Sequence, residues 1–250
     1  MKRAVCMEFL KTRRRKLWLV VAVMIAVQLL WCTWSISNWD ARDLTQGWMF
    51  FLYQFPMLNC IIMPVIAAVV ASRLSDVEHK GQIFKLLETI MPSKRIFDAK
   101  FICGGMYMIG AAMGQISLMV IFGIAMKFTG PVPWFALGSY LFFTVVISLT
   151  IYLLQQVLSM LFINQMIPMT IGLIGSFIGL FSMFFPQGIQ KVVLWGYYGV
   201  LMLVGMNWDQ NTRIVDFYWT SIDWSGFGVL LVFFVLIYGI GRILFVKKEV

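Results

Sequence analysis

Residues 13–36 read RRRKLWLVVAVMIAVQLLWCTWSI, four basic residues followed by an apolar run that ends in tryptophans. A helix crosses a bilayer with about 20 apolar residues, and tryptophan is enriched where such a helix meets the interface. The start of the chain imitates a signal peptide, but the apolar run is long and no small-x-small cleavage site follows it. We therefore interpret Leu17–Ile36 as a retained first membrane span.

The basic residues of the whole chain are concentrated in three segments. Seven of the 20 Lys and Arg residues lie in Lys2–Lys16, six in Arg73–Lys100 and three in Arg242–Lys248. Cytoplasmic loops retain Lys and Arg because these residues are costly to move across a bilayer, so these segments and both termini are predicted to be cytoplasmic. The formal charge of +9 is interpreted as a topology signal, with some attraction to anionic lipid, and not as a sign of nucleic-acid binding.

The apolar segments predict an all-α polytopic membrane protein with a single domain over residues 1–250. Hydrophobic residues make up 61% of the chain and charged residues only 12%, whereas about a quarter of a soluble domain is charged. The six predicted transmembrane helices lie at about 17–36, 48–71, 101–127, 134–163, 169–185 and 227–246.

Two further segments are predicted to lie at the membrane without crossing it. Apolar and basic residues alternate before span one, which predicts a short N-terminal interfacial helix, with a frayed basic tail as the alternative. Val192–Met206 is apolar but has only 15 residues. If it crossed, the last span would end outside and leave its basic residues there, so a re-entrant outer hairpin is favoured, and a crossing segment stays open as the alternative.

Residue patterns that carry enzyme chemistry are missing from the sequence. His79 is the only histidine and has no partner pattern for a metal site or a catalytic triad. No G-x-x-x-x-G-K-S/T is present, so the chain does not bind ATP through a P-loop. The predicted cores of spans one to five contain no ionisable residue, which argues against ion-coupled transport. The four cysteines form no C-x-x-C and are interpreted as packing residues: Cys6, Cys32, Cys60 and Cys103.

Uncharged polar residues in the spans, and tryptophans in the outer loops, are candidates for a weakly polar substrate path. Amides would line the path within the membrane, and tryptophans would offer apolar surface to a peptide entering from the membrane. The alternatives are interhelical hydrogen bonds for the amides and an interfacial aromatic belt for the tryptophans. The candidate residues are Gln28, Gln54, Asn59, Gln115, Gln155, Trp208 and Trp219.

The long inner segment between spans two and three carries an amphipathic pattern. Asp76 and Glu78 suit the N-terminal region of a helix, and Pro92 follows its end. Apolar residues in between recur on one face at helical spacing. The pattern predicts a cytoplasmic helix that docks into a groove on a soluble partner, with a helix lying on the lipid headgroups as the alternative. The predicted docking residues are Asp76, Glu78, Ile83, Phe84, Leu87, Ile90 and Met91.

With these features the chain resembles the ABC-2 type permeases of ABC exporters. The resemblance rests on the six spans, the basic surface helix, the hairpin before the last span, the ending Phe-Val-Lys-Lys-Glu-Val and the loop pattern Glu78…Gly81…Leu86-Leu87…Pro92-Ser93-Lys94…Lys100. Its size and loop are most similar to those of the permease subunits of lantibiotic-immunity transporters.

The resemblance implies partners that the chain itself does not contain. Asp76–Met91 would be the coupling helix received by a separate ABC ATPase subunit, which binds ATP and Mg²⁺, while this chain holds no cofactor. Two permease subunits, alike or different, would assemble with two ATPases in a bacterial cytoplasmic membrane.

The function expected from the resemblance is export of a lantibiotic-like antimicrobial peptide from the membrane, which would give self-immunity or resistance. Aromatic, slightly acidic outer loops suit a cationic amphipathic peptide. The alternatives are an ABC-2 permease for another lipophilic substrate, a membrane enzyme acting on lipid, and a non-transporting scaffold or sensor. An enzyme would need clustered His, Asp or Glu at the membrane face. Co-purification of a P-loop ATPase would distinguish a transporter from the other two classes.

Overall fold

The computed structural model describes residues 2–13, 16–36, 41–81, 91–210 and 214–249. Helices dominate these ranges, and a pair of short strands accompanies them. In chain order the helices are α1 (Lys2–Arg13), α2 (Leu17–Ile36), α3 (Ala41–Thr45), α4 (Gly47–Gly81), α5 (Ser93–Ala125), α6 (Trp134–Leu161), α7 (Met166–Ser182), α8 (Gln187–Gln190), α9 (Tyr197–Val200) and α10 (Trp224–Glu249).

Within the described ranges, five helices are long and apolar enough to cross a membrane: α2, α4, α5, α6 and α10. The apolar helix α7 is shorter, with 17 residues, which is a rise of about 26 Å against roughly 30 Å of bilayer hydrocarbon. Helix α4 lies at the centre of the bundle, because 67% of its most apolar window is buried, against 17% for α10. A mostly helical, polytopic membrane fold is thereby confirmed.

The bundle has two ends with different structures. The termini end holds α1, the carboxyl end of α10, the end of α4 and the start of α5. The hairpin end holds the strands, α3 and the beginnings of α4 and α10. Each ion pair between described residues belongs to one of these two ends. Apolar and uncharged polar side chains fill the middle.

Two helices extend well beyond the apolar runs from which they were predicted. Helix α4 continues through Asp76 and Glu78 to Gly81, and α5 begins at Ser93, before Lys100. Charged residues in these extensions pack against other helices, so the helices do not end where the apolar run ends. The prediction that Asp76 and Glu78 begin a separate coupling helix is therefore wrong, and residues 82–90 of that prediction lie outside the described residues.

A short β-hairpin accompanies the helices. Strand β1 (Val204–Trp208) pairs antiparallel with β2 (Val215–Trp219), with Val204 opposite Trp219 and Trp208 opposite Val215. Cross-strand bonds satisfy backbone groups that a loop would leave open. Apolar residues in β2 alternate with the period of two that a strand requires.

The apolar segment 192–206, left open between a span and a hairpin, forms no continuous helix. It contains a 3-10 turn at Leu194–Gly196, then α9, and finally most of β1. Tyr197 and Tyr198 are buried within the bundle, so the apolar character of the segment reflects packing against the long helices. Protein covers much of this irregular backbone, as its apolar surroundings require.

Candidate functional site

Four charged side chains form an ion cluster where α1, α4 and α5 meet. Lys100 Nζ lies 3.0 Å from Glu8 Oε2 and 2.6 Å from Glu78 Oε2. Lys11 Nζ lies 2.8 Å from Glu8 Oε1 and 2.8 Å from Glu78 Oε1. Each carboxylate therefore contacts both ammonium groups, and the formal charges of the four residues cancel.

The ion cluster is removed from solvent. The side chains of Glu78 and Lys100 are 0% exposed and that of Glu8 is 6% exposed. Lys100 donates hydrogen bonds to Glu8 Oε2 at 3.0 Å and to the carbonyl oxygen of Leu74 at 2.8 Å, and its contact with Glu78 is an ion pair. Removing one member of a buried ion pair destabilises a protein by about 3–5 kcal/mol, because the other charge stays buried without a partner. The cluster thus holds α1 on the bundle as long as it is complete.

The electrostatics of α1 follow from this arrangement. Burial alone would raise the pKa of Glu8, but the charges of Lys100 and Lys11 outweigh burial and lower that pKa from its ordinary 4.5. Burial alone would lower the pKa of Lys11, but the carboxylates of Glu78 and Glu8 outweigh it and raise that pKa from 10.5. Both side chains are therefore charged at neutral pH.

Helix α1 turns a largely polar face to the bundle. Ala4, Glu8 and Thr12 follow one another at one-turn spacing and are buried. Thr12 Oγ1 lies 3.0 Å from Tyr107 OH on α5. The sequence held a signal for this contact that we did not use: Glu8 is the one acidic residue among the seven basic residues of the N-terminal segment.

The ion cluster adjoins the segment predicted to dock an ATPase. Glu78 lies three residues before the end of α4, and Lys100 lies seven residues after the start of α5, so the helices on both sides of residues 82–90 are fixed. Glu78 directs its carboxylate to α1 and α5 and offers no surface to a docking partner. Asp76 and Met91 are half-buried. The other predicted docking residues lie outside the described residues: Ile83, Phe84, Leu87 and Ile90.

The last helix is fixed at the same end of the bundle. Asp98 on α5 accepts hydrogen bonds from Tyr238 OH at 2.7 Å and from Arg242 at 3.1 Å. Lys248 donates to the carbonyl oxygen of Met160 at the end of α6, at 3.0 Å. Both terminal helices are therefore attached to the helices that flank the inner loop.

Four uncharged polar side chains form an amide network in the middle of the bundle: Gln28, Asn59, Gln115 and Tyr140, one each from α2, α4, α5 and α6. Gln115 Nε2 donates to Gln28 Oε1 at 2.7 Å and to Asn59 Oδ1 at 2.8 Å. Asn59 Nδ2 donates to Tyr140 OH at 2.9 Å, and that hydroxyl donates to Gln115 Oε1 at 2.9 Å. Three predicted path residues thus meet, and they bond one another across helices.

The other predicted path residues lie apart from the amide network. Gln155 on α6 is fully buried, and its amide atoms have no hydrogen-bond partner among the described residues. Gln54 lines a cleft of about 650 Å³ at the hairpin end. Trp208 and Trp219 are exposed and lie at opposite ends of the β-hairpin. Within the described part of one chain, the seven residues do not line one path.

A second ion pair anchors the start of α10 at the hairpin end. Asp223 lies 2.7 Å from Lys191 Nζ and accepts hydrogen bonds from Ser225 Oγ at 2.6 Å and from the Gly226 N–H at 2.9 Å. These contacts, of which the hydrogen bond from Lys191 has the largest effect, lower the pKa of Asp223 to about 2. The segment before the last long helix is therefore held by charge as well as by packing.

A bundle of long apolar helices whose ion pairs lie at its two ends is a multi-pass membrane protein. A family model described as ABC-2 family transporter protein matches residues 4–179, from α1 into α7. The chain therefore belongs to the ABC-2 transporter family, whose members are membrane subunits of transporters and associate with ABC ATPase subunits. Comparisons with curated proteins and with solved structures gave no match. The ion cluster and the amide network both lie within the matched residues.

Proposed function

We propose that this chain is the permease subunit of an ATP-driven exporter and that the segment after α4, residues 82–91, receives its ATPase. The ion cluster is the observation that carries the proposal. It joins the last turns of α4 to the first turns of α5, the helices on either side of residues 82–90, and it attaches α1 to both. A partner that displaces this loop would therefore displace three helices together.

We further propose that the bundle crosses a bacterial cytoplasmic membrane six times with both termini inside. Helix α7 starts close to the end of α6, and its Gly179 packs on Trp195, in the segment that leads to the hairpin. If α7 crosses, α10 returns the chain to the termini end, where most basic residues lie. Such an orientation obeys the preference of Lys and Arg for the cytoplasmic side.

The proposed substrate is a lantibiotic-like, cationic amphipathic peptide, whose removal would give self-immunity or resistance. Trp208, Tyr218 and Trp219 are exposed on the hairpin and would supply apolar contact, at about 25 cal/mol for each Å² buried. A second permease subunit, identical or different, would complete the complex in membrane lipid. Another lipophilic substrate is the alternative.

ATPase docking is tested by two matched substitutions in the inner loop. Leu87→Asp puts a charge on the predicted apolar face, and loss of such a contact should weaken association with the ATPase at least about tenfold. Lys85→Asp also introduces an aspartate, but on the opposite face of the predicted helix, and should leave recruitment intact. Co-purification with the ATPase subunit is the measurement. Normal recruitment by a folded and inserted Leu87→Asp protein would show that the docking proposal is wrong.

Peptide export is tested in cells that carry either the complete transporter or a complex with an inactive ATPase. The active complex should leave less peptide on the cell surface and raise resistance across part of a lantibiotic panel. Equal retention and equal sensitivity in the two strains would reject the peptide substrate. The membership of the ABC-2 family would be unaffected by that result.

A further inference from the structure

The cleft at the hairpin end has the dimensions of a ligand site. Its volume of about 650 Å³ falls within the roughly 300–1,000 Å³ that is usual for ligand pockets. One wall consists of α3 and the first turns of α4, and the other wall is the β-hairpin. It therefore lies between a membrane helix and the segment that precedes the last span.

The two walls of the cleft are attached to each other. Asp216 pairs with Arg42 at 2.8 Å and accepts a hydrogen bond from Gln46 Nε2 at 3.2 Å. Gln46 Oε1 in turn accepts the backbone N–H of Phe217 at 2.9 Å. The ring of Phe217 lies 5.6 Å from that of Tyr53. The concavity is thus formed before any ligand binds.

Two polar side chains in the cleft are available to a ligand. The Tyr53 hydroxyl and the Gln54 amide both line it and are half-buried. Neither side chain makes a hydrogen bond with the described residues. Apolar and polar side chains share the lining of the cleft, and polar groups in a ligand site fix the orientation of what binds there.

The hairpin adds a row of backbone groups. The backbone bonds at its two ends run from the Asp209 N–H to the Ile214 carbonyl at 3.1 Å and from the Thr220 N–H to the Leu203 carbonyl at 2.9 Å. In an antiparallel pair, residues that bond across the strands alternate with residues whose N–H and C=O point away. Val215 and Phe217 therefore direct these groups to the outer edge of β2. Gln46 occupies the N–H of Phe217 on that edge, which places the edge along the cleft.

Charged side chains also line the cleft. Arg42 and Asp43 both lie on one wall, and Arg42 pairs with Asp216 of the hairpin.

We propose that this cleft binds an extended segment of the exported peptide, which adds as a strand to the outer edge of β2. Backbone bonds to Val215 would give affinity with little dependence on sequence, and an apolar side chain would lie against Phe50 and Tyr53. Gln54 would bond an amide of the peptide. The inference rests on the proposed export of a peptide and names where and how that peptide is recognised.

Binding is measured on the complete transporter in nanodiscs without ATP, with empty nanodiscs as the blank. The probe is a fluorescent nine-residue peptide of alternating lysine and phenylalanine. Val215→Pro removes an outward N–H and keeps the cross-strand bonds, so binding should weaken at least about fivefold. Val215→Thr keeps the N–H and should bind like the wild type. A probe with alternate amides methylated should lose affinity for the wild type by a similar factor.

Gln54→Leu provides a second variant that leaves the hairpin unchanged. If the Val215→Pro protein does not fold, this variant still tests whether the cleft binds the peptide. It should also weaken binding of the unmethylated probe. Unchanged binding by either folded variant, or no wild-type binding above the blank, would overturn the proposal. Retention of peptide on the cell surface, measured in parallel, distinguishes failure of the site from failure of the proposed function. If export depends on ATPase activity but not on Val215 or Gln54, the proposed function stands and this binding site is rejected.

Discussion

Lys100 is a fully buried lysine whose ammonium group is surrounded by two carboxylates and a carbonyl oxygen. Its contact with Glu8 joins residues 92 positions apart in the chain. Because Lys11 contacts the same two carboxylates, the stability of this end of the bundle depends on a balance of charge that any single substitution disturbs. The effect of such a substitution should therefore exceed that of a change at an exposed lysine.

Replacing Lys100 with methionine should lower the free energy of unfolding by about 3–5 kcal/mol, since two carboxylates would then share one ammonium group in a buried site. Denaturant titration of the purified protein in lipid nanodiscs measures the change. Lys248→Met is the control, because Lys248 is exposed and its described contact is one carbonyl oxygen; its effect should stay below about 1 kcal/mol. Similar unfolding midpoints for the two variants would contradict the role given to the ion cluster.

Stability should depend on pH at both extremes. Because the pKa of Glu8 is lowered on folding, its contribution is complete above its unfolded value of about 4.5 and is lost as the pH falls through the lowered value. Because the pKa of Lys11 is raised, its contribution is complete below about 10.5 and is lost as the pH rises through the raised value.

Unfolding titrations from pH 3 to about 11 should therefore show a plateau between these limits. Glu8→Gln should reduce the acid-side loss relative to the wild type, while lowering the plateau itself. An acid limb of unchanged steepness in the Glu8→Gln protein would assign that loss to other carboxylates.

Among the secondary-structure elements, α4 and α5 show which features a sequence pattern can predict and which it cannot. The apolar runs locate both helices, because burial in a bilayer or a core demands unbroken apolarity. Their inner ends were misplaced, because Glu78 and Lys100 have the composition of a solvated loop. The partners that bury them lie on other helices, and no local pattern shows which distant charge will be a partner.

The β-hairpin was missed for a different reason. Val215, Phe217 and Trp219 alternate with Asp216 and Tyr218, a strand signal that we interpreted only as an aromatic outer loop. The same limit applies to Gln28, Asn59 and Gln115. Their amide side chains predict hydrogen bonding, but residue type alone does not show whether they line a substrate path or bond one another. That distinction depends on which helices become neighbours.

The amide network joins four helices, and Asn59, like Gln115, contacts the other three members. Asn59→Leu would leave buried amides with fewer partners and should lower the free energy of unfolding by about 1–3 kcal/mol. Gln54→Leu, on the same helix but outside the network, should change stability by less. The comparison is made by thermal unfolding in the same lipid. An equal decrease in the free energy of unfolding in the two variants would indicate that the amide network does not stabilise the bundle more than other polar contacts do.

For the whole molecule, the six-span proposal makes a labelling prediction. Cys6 is exposed on α1, and the other three cysteines are buried. In intact cells an impermeant maleimide should leave Cys6 unlabelled and should label Ser221→Cys, which lies at the exposed hairpin end. Permeabilised cells serve as the control, because Cys6 should then react. Labelling of Cys6 from outside would reverse or reject the proposed orientation.

Helix α4 is a single rod of 35 residues, about 52 Å long, with Gln54 and Glu78 roughly 36 Å apart along it. Pro56 and Pro64 lie inside this helix, and each withdraws one backbone hydrogen bond, so we expect the helix to bend most easily at these two positions, on either side of Asn59. The part of α4 before Pro56 contacts the hairpin through Tyr53 and Phe217, while the part after Pro64 is paired with α1 and α5. If an ATPase moves the end of this helix near Glu78, we expect the helix to bend at the two prolines, so that the movement reaches the cleft reduced.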